Sequence, residues 1–451
     1  MSKSKSSSSK IYSVYIILSL LVSVLCYIIG AESFSDKPLY LLPLSYGLTL
    51  AICRGLRKTF LSLSIIIINT VCLIRYSLYP LTLVLEGYTY FTTESMYLMI
   101  YEVIAVLLFL NIYSKRLHST YNLGFQIKNK RIGPINMALI PLTFMLGLMF
   151  PSLLSVFAYF GGGSADLSGA ISILFSVGLM VIYVSILTKL SELKGLKGTS
   201  LLIASFVAII YIFLTSFGES NVHRWKFLSV GIPTIFILTA SFPKYRKQIV
   251  IVSSIAIIFS IFLGSFIKFA VSDISVNSFL SNFLTSDSLG EYFGGLNGIT
   301  NSLSLLRGDH FAGSFESTLT DFFGNMPVVS RYFNTDLYST EALYLDALGR
   351  TDLICPLLSQ SVLHFGVLGA PVMSIIMAII AIESDRYSKL TRSMYSMFGA
   401  LTMCVIFSLF MCLNTTILMP NAWKFLIYLI IQYINDKIYF NGKTVYNSTS
   451  L

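Results

Sequence analysis

Residues 1–30 read MSKSKSSSSKIYSVYIILSLLVSVLCYIIG, and the contrast within this stretch decides the fold class. Lys3, Lys5 and Lys10 precede a run of twenty residues, 11–30, without a basic side chain. Roughly twenty apolar residues in helical form cross the ~30 Å hydrocarbon core of a bilayer. The layout is that of a secretory leader, yet no small-residue cleavage pattern follows the apolar run. It therefore reads as a retained anchor. Leu25 before Cys26 is too bulky for lipoprotein processing at that cysteine. The Ser/Lys start, Ser2–Lys10, reads as a disordered cytoplasmic tail.

The same pattern recurs along the chain. Of 451 residues 55% are hydrophobic and only 12% are charged, against about 25% charged in soluble domains. The apolar residues fall in blocks predicting twelve transmembrane helices, at roughly 11–30, 38–53, 59–83, 96–113, 135–159, 169–190, 199–217, 227–243, 248–270, 367–383, 394–416 and 421–440. Backbone groups in lipid must be satisfied internally, and the short alternating segments of an outer-membrane barrel are absent, so an all-α polytopic chain is expected.

Placing the N-terminus in the cytoplasm puts 22 of the 31 basic residues in inside segments, among them Arg54, Arg57, Lys58, Lys128, Lys130, Arg131, Lys244, Arg246, Lys247, Arg386 and Lys389. Every inside loop is then basic, as the positive-inside rule requires, and the C-terminus is also cytoplasmic. The same distribution explains the net charge of +10 without nucleic acid as a partner. Five of the six cysteines lie in or beside apolar spans, and none has zinc-ligand spacing.

Three regions follow: residues 1–270 with nine spans, 271–366 as one large outer loop, and 367–451 with three spans and a cytoplasmic tail. The loop holds ten Asp and Glu, including Glu341, Asp346 and Asp352, against Arg307, Arg331 and Arg350. Segments 311–325 and 332–347 mix aromatic and polar residues in the manner of short amphipathic helices at a bilayer surface. A long loop without linker composition is usually functional. No internal repeat or inverted pair of broken helices is evident, which disfavours a secondary transporter.

No nucleotide-binding motif, metal-binding histidine cluster or nucleophile elbow occurs. Any reaction must therefore use an already activated substrate. The informative residues are outer cations. Arg75 interrupts the third span, where a charge is costly without a partner. Arg224 closes the stretch GESNVHR, residues 218–224, at an outer mouth, and Arg307, Arg331 and Arg350 punctuate the loop. Individually each could snorkel or pair with loop carboxylates. Together they fit a polyanion such as diphosphate, because guanidinium stays charged and grips phosphate oxygens bidentately. His223 and His310 sit in polar outer segments as candidate general bases, with His310 preferred. His364, flanked by apolar residues, reads as a structural histidine.

This arrangement resembles the Wzy-type polymerases of O-antigen and capsular polysaccharide. The resemblance rests on residues 218–224, similar to a Gly-x-Arg at the outer end of a span, and on the arginine-bearing loop that ends ICPLLSQSVLHFGVLG, residues 354–369. Cys355-Pro356-Leu357 stands where relatives have a Ser-Pro-Thr-like turn. It implies a GT-C-like membrane glycosyltransferase of the cytoplasmic (inner) membrane, serving capsule or lipopolysaccharide biosynthesis. Such an enzyme joins undecaprenyl-diphosphate-linked oligosaccharide repeat units beside membrane lipid, with a flippase and a chain-length regulator as pathway partners. Arg75, Arg224, Arg307, Arg331 and Arg350 would hold the diphosphate. Arg224 would also act in catalysis, with His310 or Asp352 taking the acceptor proton, and no cofactor or metal is expected. The competing expectations are an O-antigen-ligase-like transferase and a flippase for the same lipid-linked sugars.

Overall fold

A computed structural model describes residues 2–117 (except 32), 132–153, 169–193, 197–216, 224–269, 289–308 (except 291 and 292), 315–324, 339–348 and 355–448 (except 392), with residues 326, 329, 332 and 333. Among these residues there is no β-strand. The helices are α1 (Ser2–Gly30), α2 (Leu41–Ile52), α3 (Leu63–Leu73), α4 (Tyr79–Glu86), α5 (Thr93–Tyr113), α6 (Pro134–Met149), α7 (Gly169–Glu192), α8 (Lys197–Ser216) and α9 (Arg224–Ser241). They continue as α10 (Arg246–Phe269), α11 (Leu296–Arg307), α12 (Phe315–Phe323), α13 (Thr340–Leu348), α14 (Leu357–Phe365), α15 (Val372–Leu390), α16 (Met394–Ser408) and α17 (Thr415–Ser448).

Among the described residues, five helical stretches are long and apolar enough to cross a membrane: Ser8–Gly30, Leu63–Glu86, Thr93–Leu117, Ala170–Glu192 and Thr415–Ile438. Phe227–Ser241 and Pro243–Ala256 make a sixth if counted as one span, bent by 116°. Pro243 at the bend supplies no N–H to continue a helix. Other expected spans appear as shorter apolar helices, Leu41–Ile52, Pro134–Met149, Gly198–Ile212 and Met394–Ser408. At 1.5 Å per residue, the twelve residues of α2 reach about 18 Å, short of a hydrocarbon core. The start of the chain also differs from expectation, because α1 extends back to Ser2 instead of leaving a disordered tail. Hydrogen bonds from Ser8 Oγ to the Arg57 carbonyl (2.7 Å) and from Arg57 Nε to Ser9 Oγ (2.7 Å) hold Ser8 and Ser9 to the segment after α2.

The chain divides into two compact units. The first comprises Met1–Asn122, Ser275–Arg386 and Ile406–Asn421, and the second Leu123–Ile274, Tyr387–Val405 and Ala422–Leu451.

Small polar side chains stitch the apolar helices of the first unit. Ser19 of α1 donates to the Pro43 carbonyl (2.6 Å) and meets Ser77 (3.0 Å), while Tyr12 bonds the carbonyls of Leu50 and Cys53 at the end of α2. Asp385 of α15 caps α3 from afar, accepting from Ser62 Oγ (2.5 Å), Ser64 N (3.1 Å) and Ser64 Oγ (2.9 Å). A carboxylate at a helix N-terminus satisfies orphan N–H groups and complements the helix dipole. The described residues of 289–365 belong to this unit and include the short helices α11, α12, α13 and α14. Within the segments 311–325 and 332–347, the described residues include α12 and most of α13.

In the second unit the side-chain amides do comparable work. Asn136 and Gln432 exchange hydrogen bonds both ways (2.9 and 3.0 Å), and Asn435 accepts from the Ile135 N–H (3.1 Å) at the start of α6. Tyr183 meets Thr234 (2.8 Å), and Ser185 meets Tyr395 (2.9 Å).

Candidate functional site

Two polar clusters lie inside the first unit, and Pro80 accounts for the first. Proline has no N–H, so the Tyr76 carbonyl four residues earlier loses its helical partner. Just there the backbone widens into a π-turn, Ile74–Leu78, between α3 and α4. Such turns break the regular rotation of side chains around a helix. Three successive residues, Arg75, Tyr76 and Ser77, are consequently all buried.

The Arg75 guanidinium meets Glu102 of α5, with Nη2 2.8 Å from Oε2 and both side chains fully enclosed. Glu102 is satisfied at both oxygens: Tyr76 donates to Oε2 (2.8 Å) and Ser374 of α15 to Oε1 (2.6 Å). Arg75 is not. Its Nη1 reaches the Met411 carbonyl at 3.4 Å, its Nη2 approaches the carboxylate off the N–H axis, and its Nε has no hydrogen-bond partner among the described residues. The turn carrying Gly294 closes over the guanidinium. Gly294 has φ of 63°, and a Cβ there would lie 3.3 Å from Nη1, so both conformation and space favour glycine.

The second cluster centres on His364 in the last turn of α14. Its Nε2 lies 2.8 Å from Asp321 Oδ2 and 2.7 Å from Thr340 Oγ1, and its Nδ1 lies 3.0 Å from Thr318 Oγ1. Thr318 and Asp321 are one turn apart on α12, hence on one face. Asp321 is anchored by accepting from the N–H of Thr340 (2.8 Å), the first residue of α13. The imidazole and the Asp321 carboxylate are both closed from solvent, whereas Thr318 is half-buried. With a carboxylate on Nε2, the neutral ring carries its proton there, and Nδ1 is left to accept from Thr318.

Next to Thr340, Glu341 accepts from Asn414 Nδ2 (2.7 Å), and Asn414 in turn caps α17 through the Ile417 N–H (3.1 Å). Burial pushes the Glu341 carboxyl above its usual range, helped by nearby Asp321 and opposed by hydrogen bonds with Thr416 and Asn414. Burial likewise raises the Cys355 thiol, so it is held as an unreactive thiol.

The structure treats the residues named from sequence unevenly. Arg75 is enclosed and ion-paired. Arg307, at the end of α11, is exposed and pairs with Glu94 at 2.8 Å, an attraction that raises its already high pKa. Arg224 is the first residue of α9, and its side chain lies outside the described residues. His223, His310, Arg331, Arg350 and Asp352 also lie outside them, so the described clusters bring together none of the named residues.

Glu102, Asp321 and Thr318 were not singled out from sequence. For Glu102 the signal existed: it is the one acid within the apolar block 96–113, as Arg75 is the one base within 59–83 beyond its edge. Lone opposite charges in two apolar helices are candidates to pair. Asp321 is one of ten acids in 271–366, and nothing local distinguishes it. Comparison with models of protein families, with curated proteins and with solved structures gives no match to this chain.

Proposed function

We propose that the chain is a membrane-embedded glycosyltransferase that polymerises undecaprenyl-diphosphate-linked oligosaccharide repeat units at the outer face of the cytoplasmic membrane. In this reading the chain crosses the membrane twelve times, both termini are cytoplasmic, and 271–366 faces outward. The carrying observation is Arg75, a permanently charged guanidinium enclosed in an apolar helix with its hydrogen-bonding capacity incompletely used. Charge of this kind among membrane helices marks a pathway or a binding site for a counter-charge. A diphosphate leaving group needs such stabilisation in the transition state, and preorganised charge is usually the largest catalytic contribution. Glu102 offsets part of the charge, so Arg224, Arg307, Arg331 and Arg350 would supply the rest. The donor is already activated, which accords with the lack of a nucleotide motif in the sequence.

The same ion pair lends some support to a second reading, a flippase for lipid-linked oligosaccharide, because transporters also hold paired charges between helices. One experiment separates them. Lipid-linked single repeat units are extracted from cells lacking this chain and incubated with purified protein in liposomes, without added nucleotide. Chains of several repeats are expected. Movement of units between leaflets with no lengthening would overturn the polymerase in favour of the flippase.

A further inference from the structure

We infer that His364, held by Asp321, is the proton acceptor for the glycosyl transfer proposed above, and that it takes the proton through the Thr318 hydroxyl. The inference rests on that reading of the function.

Three observations carry it. First, hydroxyl, imidazole and carboxylate stand in series: Thr318 Oγ1 is 3.0 Å from Nδ1, and Asp321 Oδ2 is 2.8 Å from Nε2. That is the order in which a general base is assembled, with the base oriented by a third group. Second, the series has an inside and an outside. The imidazole and carboxylate are closed off, while Thr318 is half-buried and can meet a substrate. Third, packing alone does not call for the arrangement. A buried ionisable pair stabilises a fold no better than apolar residues of similar volume, and two buried carboxylates elsewhere in the unit have partners that account for them. Asp385 caps α3, and Glu102 offsets part of the Arg75 charge. Asp321 also braces α13, but it does so with Oδ1 and leaves Oδ2 to the histidine.

The step balances. The acceptor sugar hydroxyl gives its proton to Thr318 Oγ1 as the Thr318 proton passes to His364 Nδ1. The acceptor oxygen forms a bond to the anomeric carbon of the donor. The bond from that carbon to the diphosphate oxygen breaks, and its electron pair leaves with the lipid diphosphate. The resulting imidazolium faces Asp321, and its proton afterwards returns through Thr318 to the released diphosphate or to water. Asp321 touches no reacting atom and is a positioning residue.

The test uses the full-length protein in liposomes with lipid-linked single repeat units extracted from cells lacking the chain. A positioned base contributes typically 10²–10⁴-fold. His364→Gln is therefore expected to lower kcat by about 100-fold or more with KM unchanged. Thr318→Val should lower kcat in the same way, and Thr318→Ser, which restores the hydroxyl, should recover it. The threonine pair decides the matter even if His364→Gln does not fold. Equal rates in Thr318→Val and wild type, equal losses in the Val and Ser variants, or a loss confined to KM would overturn the inference. If wild-type protein itself extends no chains, it is the polymerase reading that fails.

Discussion

Helix α5 carries two carboxylates eight residues apart, and each meets an arginine at 2.8 Å. Glu102 and Arg75 have side-chain exposures of 0% and 0%, whereas Glu94 and Arg307 have 52% and 64%. Equal distances conceal unequal consequences. In water a pair at this spacing is screened and competes with hydration, so it contributes little. Inside the helices neither charge can be hydrated, and each depends on the other, Glu102 also on the Tyr76 and Ser374 hydroxyls and Arg75 on the Met411 carbonyl. The comparison teaches that a contact's burial decides what an ion pair does. The inner pair is a condition for the fold of α3, α4 and α5 around the π-turn, while the outer pair leaves its arginine available to another anion.

The largest effect should come from breaking the inner pair. Glu102→Ala leaves the Arg75 charge enclosed without a counter-charge, a change that costs about 3–5 kcal/mol in buried pairs. A large fall in the thermal midpoint of the purified protein is expected. Replacing both partners, Arg75→Met with Glu102→Leu, removes the uncompensated charge and should recover most of the stability, while chain extension stays lost if Arg75 serves the diphosphate. If Glu102→Ala melts with the wild type, the pair is not the constraint described here. Recovery of stability and activity together in the double variant would count against Arg75 as a substrate-binding group.

Glu341 sharpens the comparison because it is a mostly buried carboxylate held by Asn414 and Thr416, without a cation at bonding distance among the described residues. Its carboxyl lies above the ordinary 4.5, chiefly through burial. The folded chain thus keeps a proton that the unfolded chain releases once pH passes that ordinary value. Linkage then makes this group's contribution greatest at acid pH and progressively lost as pH rises through the raised value. Glu341→Gln has no such titration. Its thermal midpoint should gain on that of the wild type as pH is raised from about 4 to 7, by less than the change at Glu102. Parallel curves for the two proteins would show that Glu341 does not titrate in the folded state as described.

How much of this was legible beforehand follows from the range of the interactions. Apolar blocks announce helices because the pattern is local, yet the expected span 59–83 runs through Pro80 without marking the π-turn before it. Arg75 stood out because a charge in an apolar block is conspicuous wherever it points. The choice of Glu102 as its partner needed two helices to be compared. Its Tyr76 and Ser374 donors are ordinary residues whose meaning arises only through packing. His364 illustrates the same limit: its apolar flanks suggested a structural histidine and gave no sign that a carboxylate and two hydroxyls meet its ring. Its partners Thr318, Asp321 and Thr340 come from segments 24 to 46 residues away, a distance that no spacing rule spans. Helix ends are less legible, because hydropathy records the composition of α2 and α6 but not where their helices stop.

The smallest structural effect is expected at the outer pair, and this makes Arg307 the most useful probe of function. Arg307→Ala removes a solvent-exposed contact with Glu94. The purified variant should melt with the wild type, and added salt should leave the two alike because the wild-type attraction is already screened. If the pair is merely a surface clasp on α5 and α11, polymer length in cells should be unchanged as well. If Arg307 contributes to holding the lipid diphosphate, protein level and melting stay normal while long polymer is lost and single lipid-linked repeat units accumulate. Arg307→Lys refines the result, since lysine keeps the charge but not the planar fork that grips two phosphate oxygens. A variant that restores polymer with lysine reports a need for charge, and one that fails with lysine reports the fork. Glu94→Gln provides the opposite perturbation: it frees Arg307 without removing it, so chain extension should be preserved or raised if the arginine serves substrate. Loss of extension in Glu94→Gln together with normal extension in Arg307→Ala would place the function on Glu94 and take Arg307 out of the site.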